Sequence, residues 1–435
     1  MNNTMNLPVD EHTANDEWAR KVRAEFPFFQ QPDVEPIVYI DNGATTQMPR
    51  SVIDAMANYY ATSNSNGGRG MYRLSLTSTE LHHRARERTA GFIGADVDEI
   101  VFTKNATESV NLVARTFGKS VVGAGDEVLI TGMEHHSNML PWRQLCERVG
   151  ARLVVVPAAD GVPVSPEEFE CHLSPRTKMA AITHISNVLG TVNPVAELVE
   201  VAHRHGVPVL IDGAQAISRR PVDVRAIGAD FYAFSAHKMY GPAGVGILYA
   251  KRKHLTQMPM HHLGGGSVLD ASYDRDLLLM PAPYRFEPGT PNIAGAVGLA
   301  AAIDFLDSLG WDSIVEHDAA LAVAAAIGLS AVDGVRVLGD PVRNKGGIVS
   351  FVVEGMHPYD VGNHLNEHNV AVRTGVHCAI PLVDSLDVVG TVRASFGVYN
   401  TMADVESLIS AIRTASPGMW TTDYPNERLL PEHKA

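Results

Sequence analysis

Cysteine is scarce in this 435-residue chain. Cys146, Cys171 and Cys378 are all there is, an odd number at wide spacing. No disulfide framework can be drawn from three such positions, and without a CxxC pair neither a structural zinc site nor another metal site is expected. Positive charge is also in deficit: 35 Lys and Arg stand against 49 Asp and Glu, a formal net charge of −14. A general nucleic-acid binder is therefore excluded, because phosphate-backbone affinity needs clustered cations. No run of 18 or more apolar residues is found, so no membrane span is expected. The N-terminal MNNTMNLPVDEHTANDEWARKVR has no apolar stretch of the signal-peptide kind. Internal repeats are absent too. These absences imply a cytoplasmic, reducing setting in which a free thiol persists.

What is present is an ordinary globular composition, 45 % hydrophobic and 19 % charged, enough to build a packed core. The length suits one large domain and one smaller one. We expect residues 1–15 to be loose, 16–26 to be helical, and FPFFQQP to act as a link. From Val38 onward, apolar β-rich runs alternate with helical patterns: EIVFT, ATESVNLVARTFG, DEVLIT, a helix over 139–149, ARLVVVP, MAAITHIS, a helix over 194–205, VPVLIDG, ADFYAFS and GILYA. Continuous apolar strands separated by helices predict a parallel sheet covered on both faces. After Gly289 the texture changes to Ala-rich helices over 294–309 and 312–330. Then come VRVLG, GIVSFVVE, a helix over 358–368, VAVRTG, TVRASFG and a helix over 402–414, which predict a small α+β domain. The expected division is 1–37 as an N-terminal segment packing on the small domain, 38–300 as the large domain and 301–435 as the small one. The tail 416–435 is Pro- and charge-rich and is expected to be ordered only by docking.

Two neighbouring strands carry the chemistry. VLIDGAQ ends its apolar run in Asp212, and ADFYAFS ends in Ser235-Ala236-His237-Lys238. In open α/β sheets, ligands bind at the carboxyl ends of strands, so an acid and an amine share one rim. Taken singly, Asp212 reads as a turn cap and Lys238 as a solvated surface group. As a pair they suit pyridoxal phosphate (PLP), which needs a lysine for its aldehyde and an acid to keep its ring nitrogen protonated. GPAGVG (241–246) lacks dinucleotide-fingerprint spacing and runs into a strand, so it is no nucleotide loop. Asn105-Ala106-Thr107, between a strand and a helix, offers a helix N-terminus and a hydroxyl for a phosphate; read blandly, Thr107 is an N-cap. His135 in MEHHSN could stack on a flat ring or be an ordinary loop histidine.

Cys378 lies in VRTGVHCAIP. Arg373, and His377 when protonated, would favour its thiolate, and Gly and Pro mark a loop. The bland reading is a small buried hydrophobe. Arg393 in TVRASFGVYN, placed at the start of a short strand, could clamp a carboxylate bidentately or form a surface ion pair. Cys146 and Cys171 sit in helical patterns.

MEHHSNMLPW, THISNVLGTVNP, VLIDGAQA, DFYAFSAHKMYGP, RFEPGTPN and RTGVHCAIP resemble, in order, the cysteine desulfurases of the class V aminotransferase group, with the sulfur-mobilisation (group II, selenocysteine lyase-like) type the nearest match. The likeness runs from about Tyr39 to Ile412. It implies a fold-type I PLP-dependent transferase with a mainly parallel seven-stranded sheet in its large domain, working as a homodimer. It implies that Lys238 bonds the cofactor, Asp212 holds the ring nitrogen, Gln215 touches the ring oxygen and His135 stacks on the ring and takes part in catalysis. Ala106, Thr107, Ser235 and His237 would hold the phosphate, and Thr290 would reach the phosphate in the partner subunit. Asn187 would border the cofactor and, with Arg393 and the nearby Arg373, bind the substrate carboxylate. Cys378 would form the persulfide. One segment departs from the group: where relatives read roughly V-H-R-G-x-H-x-L-S, this chain has SNGGRGMYRLS (65–75). Arg69 survives there as a substrate-side residue, while Gly68 and Tyr72 replace histidines, which bears on substrate choice or sulfur route.

The implied reaction converts L-cysteine to L-alanine, with the sulfur moving to Cys378 and on to an acceptor protein for iron–sulfur or thio-cofactor assembly. Three alternatives stand beside it. A selenocysteine lyase or other C–S lyase would need no thiol. An epimerase or aminotransferase would leave Cys378 unused. A catalytically silent binding partner would leave Lys238 and Asp212 unused.

Overall fold

The computed structural model describes residues 9–32, 35–68, 70–158, 161–340 and 346–417. Arg69 and the tail from 418 onward therefore lie outside the described residues. The seven predicted strands of the large domain form one sheet: β1 (Ile100–Thr103), β2 (Glu127–Thr131), β3 (Arg152–Val156), β4 (Thr177–Thr183), β5 (Val209–Asp212), β6 (Phe231–Ser235) and β7 (Gly246–Ala250). Their spatial order is β1-β7-β6-β5-β4-β2-β3. β7 runs antiparallel to both neighbours, and every other pairing is parallel. β1 therefore runs with the parallel set, and the carboxyl ends of β1, β2, β4, β5 and β6 meet on one rim. The central strands are buried along their whole length, as apolar runs covered on both faces must be. Each fully buried Ile, Leu, Val or Phe on them contributes about 1.5–3 kcal/mol.

The helices that cover this sheet include α1 (Ala106–Val113), α2 (His136–Val149) and α3 (Ile293–Leu309), the last packed against Arg50–Thr62 and Arg73–Phe92. The smaller sheet has β8 (Val335–Val337), β9 (Ile348–Val353), β10 (Arg373–Gly375) and β11 (Thr391–Ser395) in the order β8-β9-β11-β10, all antiparallel. Trp311–Ser330, Pro358–Glu367 and Met402–Thr414 cover it, burying Leu321, Ala325, Phe351, Val361, Leu365, Val392 and Leu408 in one core. Trp311–Ser330 has the length and hydropathy of a membrane span, which the sequence reading did not credit; here its apolar residues supply that core.

One detail differs from expectation at the N-terminus. The first helix spans Val9–Arg23, so it begins before residue 16. Arg23 Nη1 in this helix reaches Asp404 Oδ2 at 3.2 Å, and Phe26, just beyond it, packs edge-on against Tyr240, Phe305 and Tyr399. The segment after it pairs Val38–Tyr39 with Val370–Ala371 and bridges Asp41 to Ser395. That bridge brings Gly43 and Ala44 to the rim.

Candidate active site

The loops at the carboxyl rim and the facing strands β10 and β11 enclose a cavity of about 290 Å³. Every expected cofactor residue lines it except Thr290, together with Arg373, Arg393 and Cys378. Thr290 lines an adjoining cavity of about 580 Å³ that shares Asn105 and Thr107 with the first.

Lys238 follows the last residues of β6, where burial pushes its amine below the ordinary lysine pKa and Asp212 pulls it back up. No hydrogen bond holds its Nζ among the described residues. A desolvated, unhydrogen-bonded amine is a nucleophile suited to an aldehyde. Asp212, the last residue of β5, is 6 % exposed. Its Oδ1 accepts the Ala214 N–H at 3.0 Å, while Oδ2 has no partner among the described residues. Burial raises its pKa, and a cation placed against Oδ2 is what would keep it ionised. The turn after it needs glycine: a Cβ on Gly213 would lie 2.1 Å from the Tyr232 ring. Gln215 sends Nε2 to the Gly43 carbonyl oxygen at 2.8 Å, which fixes its amide beside Asp212.

Hydroxyls and one helix start make the phosphate-sized part of the site. The cap of α1 is Asn105, whose Oδ1 accepts the Glu108 N–H at 2.9 Å, a contact worth about 1 kcal/mol. Thr107 is thereby freed from the capping role that the bland sequence reading offered it, and its Oγ1 meets Ser137 Oγ at 2.7 Å. The Ala106 N–H donates to Ser235 Oγ at 2.8 Å, which leaves the Ser235 proton to give. His237 is held by Thr45 Oγ1 at 3.2 Å, and burial lowers its pKa to about 4. The anion would therefore meet neutral donors and the positive end of α1. His135 caps α2 through Nδ1, which accepts the Ser137 N–H at 3.1 Å. Burial, then Lys238, lowers its pKa to about 3, so the ring is neutral and apolar-faced, as stacking requires. These groups fit PLP: an amine for its aldehyde, a buried acid for its ring nitrogen, a neutral ring beside it and hydroxyls for its phosphate.

Arg393 lies in the middle of β11, not at its start. Its Nη1 donates to the Asn187 carbonyl oxygen at 2.9 Å and its Nη2 meets Asp41 Oδ1 at 3.1 Å, while its buried Nε has no partner among the described residues. Asn187 turns its own Nδ2 to the His377 carbonyl oxygen at 2.8 Å. Cys378 is exposed, which removes the reading of a buried hydrophobe. It and His377 both adopt left-handed backbone, φ 54° and 50°, at about 1–2 kcal/mol for each non-glycine residue. His377 does not supply the expected positive charge. It is buried, and that burial, with Arg393 and Arg373 nearby, holds its pKa well below 6.5. Its Nε2 instead contacts Thr391 Oγ1 at 2.7 Å.

Sequence reasoning misses Ser137, Thr183, Ile185 and the Gly43-Ala44 turn, all of which line the cavity. Ser137 was within reach, as a hydroxyl in the first turn of a helix just after His135. The Asp41–Arg393 pair was not, because its partners lie 352 residues apart.

The aminotransferase class-V family model matches residues 38–408. A probable cysteine desulfurase of Halalkalibacterium halodurans is 44% identical over 396 residues, 91% of this chain and 97% of the relative. A cysteine desulfurase of Shigella flexneri is 42% identical over 395 residues, 90% of this chain and 97% of its own length. Among solved structures, the apo cysteine desulfurase of Thermococcus onnurineus NA1 superposes with a TM-score of 0.86 at 37% identity, over 90% of this chain and 96% of that one. The cysteine desulfurase CsdA of Escherichia coli gives 0.83 at 35% identity, over 91% and 97%.

Proposed function

The chain belongs to the aminotransferase class-V family, among its PLP-dependent cysteine desulfurases, and on that premise we propose that Lys238 carries the cofactor, Asp212 holds its ring nitrogen and Cys378 receives the sulfur of L-cysteine. The supporting observation is that one cavity gathers a desolvated amine, a buried carboxylate, two guanidinium groups and an exposed thiol.

When bound, the cofactor supplies an electron sink that eases loss of the α-proton and weakens the bond from Cβ to sulfur. The protein does the rest. Arg393, Arg373 and Asn187 hold the substrate carboxylate and so orient its Cα and its sulfur. The Lys238 amine, whose pKa burial lowers, takes the proton from Cα. His135 holds a neutral ring against the cofactor face. The Cys378 thiolate attacks the substrate sulfur: an S–S bond forms as the Cβ–S bond breaks, and the bonding pair stays with the three-carbon fragment. That fragment takes up a proton and leaves as L-alanine. The balance is L-cysteine plus enzyme thiol giving L-alanine plus enzyme persulfide, with no outside oxidant or reductant.

The same proposal extends to what receives the sulfur. Because Cys378 is exposed, an acceptor protein's thiol can approach it, for iron–sulfur or thio-cofactor assembly. A homodimer is part of the reading: Thr290 is assigned to the phosphate in the other copy, and in its own chain it lies outside the cavity that holds Lys238. So is a cytoplasmic location, supported by chemistry that needs a free thiol.

The test is incubation of the PLP-loaded protein with L-cysteine, measuring alanine and the mass of the Cys378 peptide. Alanine with a Cys378 peptide heavier by one sulfur is expected. Lys238→Ala should form no alanine, and Cys378→Ala should deliver no sulfur to a protein acceptor. Wild-type sulfur delivery by Cys378→Ala would overturn the assignment of the thiol.

A further inference from the structure

Cys378 rests in a backbone conformation that its residue type disfavours, so its neighbours must hold it there. Two of the holding contacts come from His136, the first residue of α2. The His136 N–H donates to the Cys378 carbonyl oxygen at 2.7 Å. The His136 Nε2 accepts the Ile380 N–H at 3.1 Å. One residue therefore grips the chain at the nucleophile and again two residues beyond it. Both donors are groups that helix geometry leaves unpaired: one opens α2, and the other opens the short helix Ile380–Ser385. Ile380 is 46 % exposed, so water could serve its N–H equally well. What water cannot provide is a fixed acceptor tied to the rim of the large sheet.

The two adjacent histidines divide their work. His135 lines the cavity, whereas His136 is absent from its lining and faces the Cys378 loop. Burial holds the His136 imidazole below its ordinary pKa, which leaves Nε2 an acceptor at neutral pH. On the other flank, Asn187 and Thr391 hold His377.

We propose that His136 is a positioning residue for the sulfur-accepting thiol, its backbone N–H and imidazole Nε2 together fixing the peptide that presents Cys378. The inference rests on the reading of Cys378 as the acceptor. It assigns His136 no contact with substrate or cofactor; it sets where the thiol stands when the substrate sulfur arrives, and misplacement of a reacting group by about 1 Å costs roughly a hundredfold in rate.

The experiment compares three PLP-loaded proteins: wild type, His136→Phe, which keeps a ring without an acceptor, and His136→Gln, which offers an acceptor without a ring. Alanine formation, the visible band of the bound cofactor and hydrogen exchange over 376–385 are measured on each. In His136→Phe the cofactor band and the KM for cysteine should stay near wild type, while kcat falls by roughly ten- to a hundredfold and exchange at Ile380 quickens. His136→Gln should recover much of both losses. Wild-type kcat in His136→Phe, unchanged exchange over 376–385, or a Gln variant no better than Phe would each overturn the inference. Should His136→Phe lose the cofactor band, His136→Ala takes its place with the same outcomes. Cys378→Ala, run alongside, separates the two ideas. If it delivers sulfur as wild type does, the reading of Cys378 fails and the inference with it; if it is inert while His136→Phe is normal, the inference alone fails.

Discussion

Arg373 stands directly opposite Arg393 in the antiparallel pairing of β10 with β11. Like charges placed face to face across a sheet are destabilising, and among the described residues only Arg393 of the two has a carboxylate partner, Asp41. Arg393 also keeps a buried Nε without a partner among the described residues. Such a pair is costly for the free protein and well suited to an arriving carboxylate, which would offset the repulsion and take up unused donors.

Replacing Arg393 by Lys should therefore not be conservative. A single ammonium cannot serve Asn187 and Asp41 together and still present a fork to the substrate. Loss of one charge-assisted contact, about 1.5–3 kcal/mol, predicts a drop of about ten- to a hundredfold in kcat/KM, carried mainly by KM for cysteine. Steady-state kinetics check this, and an unchanged KM in Arg393→Lys would remove Arg393 from carboxylate binding.

The three cysteines should separate by reactivity. Cys378 and Cys171 are exposed, whereas Cys146 is buried, with burial raising its thiol to about 11. Brief iodoacetamide treatment at neutral pH should label Cys378 and Cys171 and spare Cys146, because the thiolate is the reacting form. Loss of sulfur transfer should follow the Cys378 label alone; peptide mass spectrometry beside an activity assay reads both. Labelled Cys378 with full sulfur transfer would contradict the proposed function.

Acid stability should depend on Glu127, at the amino end of β2 and far along the strand from the rim. Ser174, Arg152 and Arg176 hold its carboxylate, at 2.7, 2.6 and 3.0 Å. The Ser174 hydroxyl first, then the two guanidinium groups, lower its pKa from 4.5 to about 2 against the effect of burial. The unfolded chain binds a proton there at higher pH than the folded one does. The stabilisation is thus present in full above about pH 4.5 and is lost as pH falls towards 2. Glu127→Gln should lower stability on the order of 2 kcal/mol at pH 7 and less at pH 3, leaving kcat intact. Urea midpoints across that range check it; an equal loss at both pH values would mean that the carboxylate charge is not what matters.

The strands were legible because a sheet covered on both faces needs uninterrupted apolar runs, and VLID, FYAFS and GILYA supply them. The reversed direction of β7 was not, since an apolar run carries no sign of direction. Arg73–Phe92 escaped the helical reading because the face it buries is built from Ser75, Ser78, Ala85, Arg86, Thr89 and Ala90, with no apolar stripe to mark a period of 3.6. At the site, Asp212 and Lys238 could be paired from sequence because each closes a strand, and strand ends share a rim. Which residue caps α1 could not: Asn105 and Thr107 are both good N-caps, and only the backbone geometry chooses Asn105.

By itself, then, the order of residues determined which chemical groups the protein owns and which strand ends carry them, because periodicity and strand termini are local properties. The third dimension decided everything that depends on distant segments meeting: Arg393 against Asp41 and Asn187, His377 stripped of its charge by burial, and the thiol of Cys378 left open to solvent beneath the grip of His136. Those outcomes follow from desolvation and from hydrogen bonds across hundreds of residues, and neither exists until the chain has closed on itself.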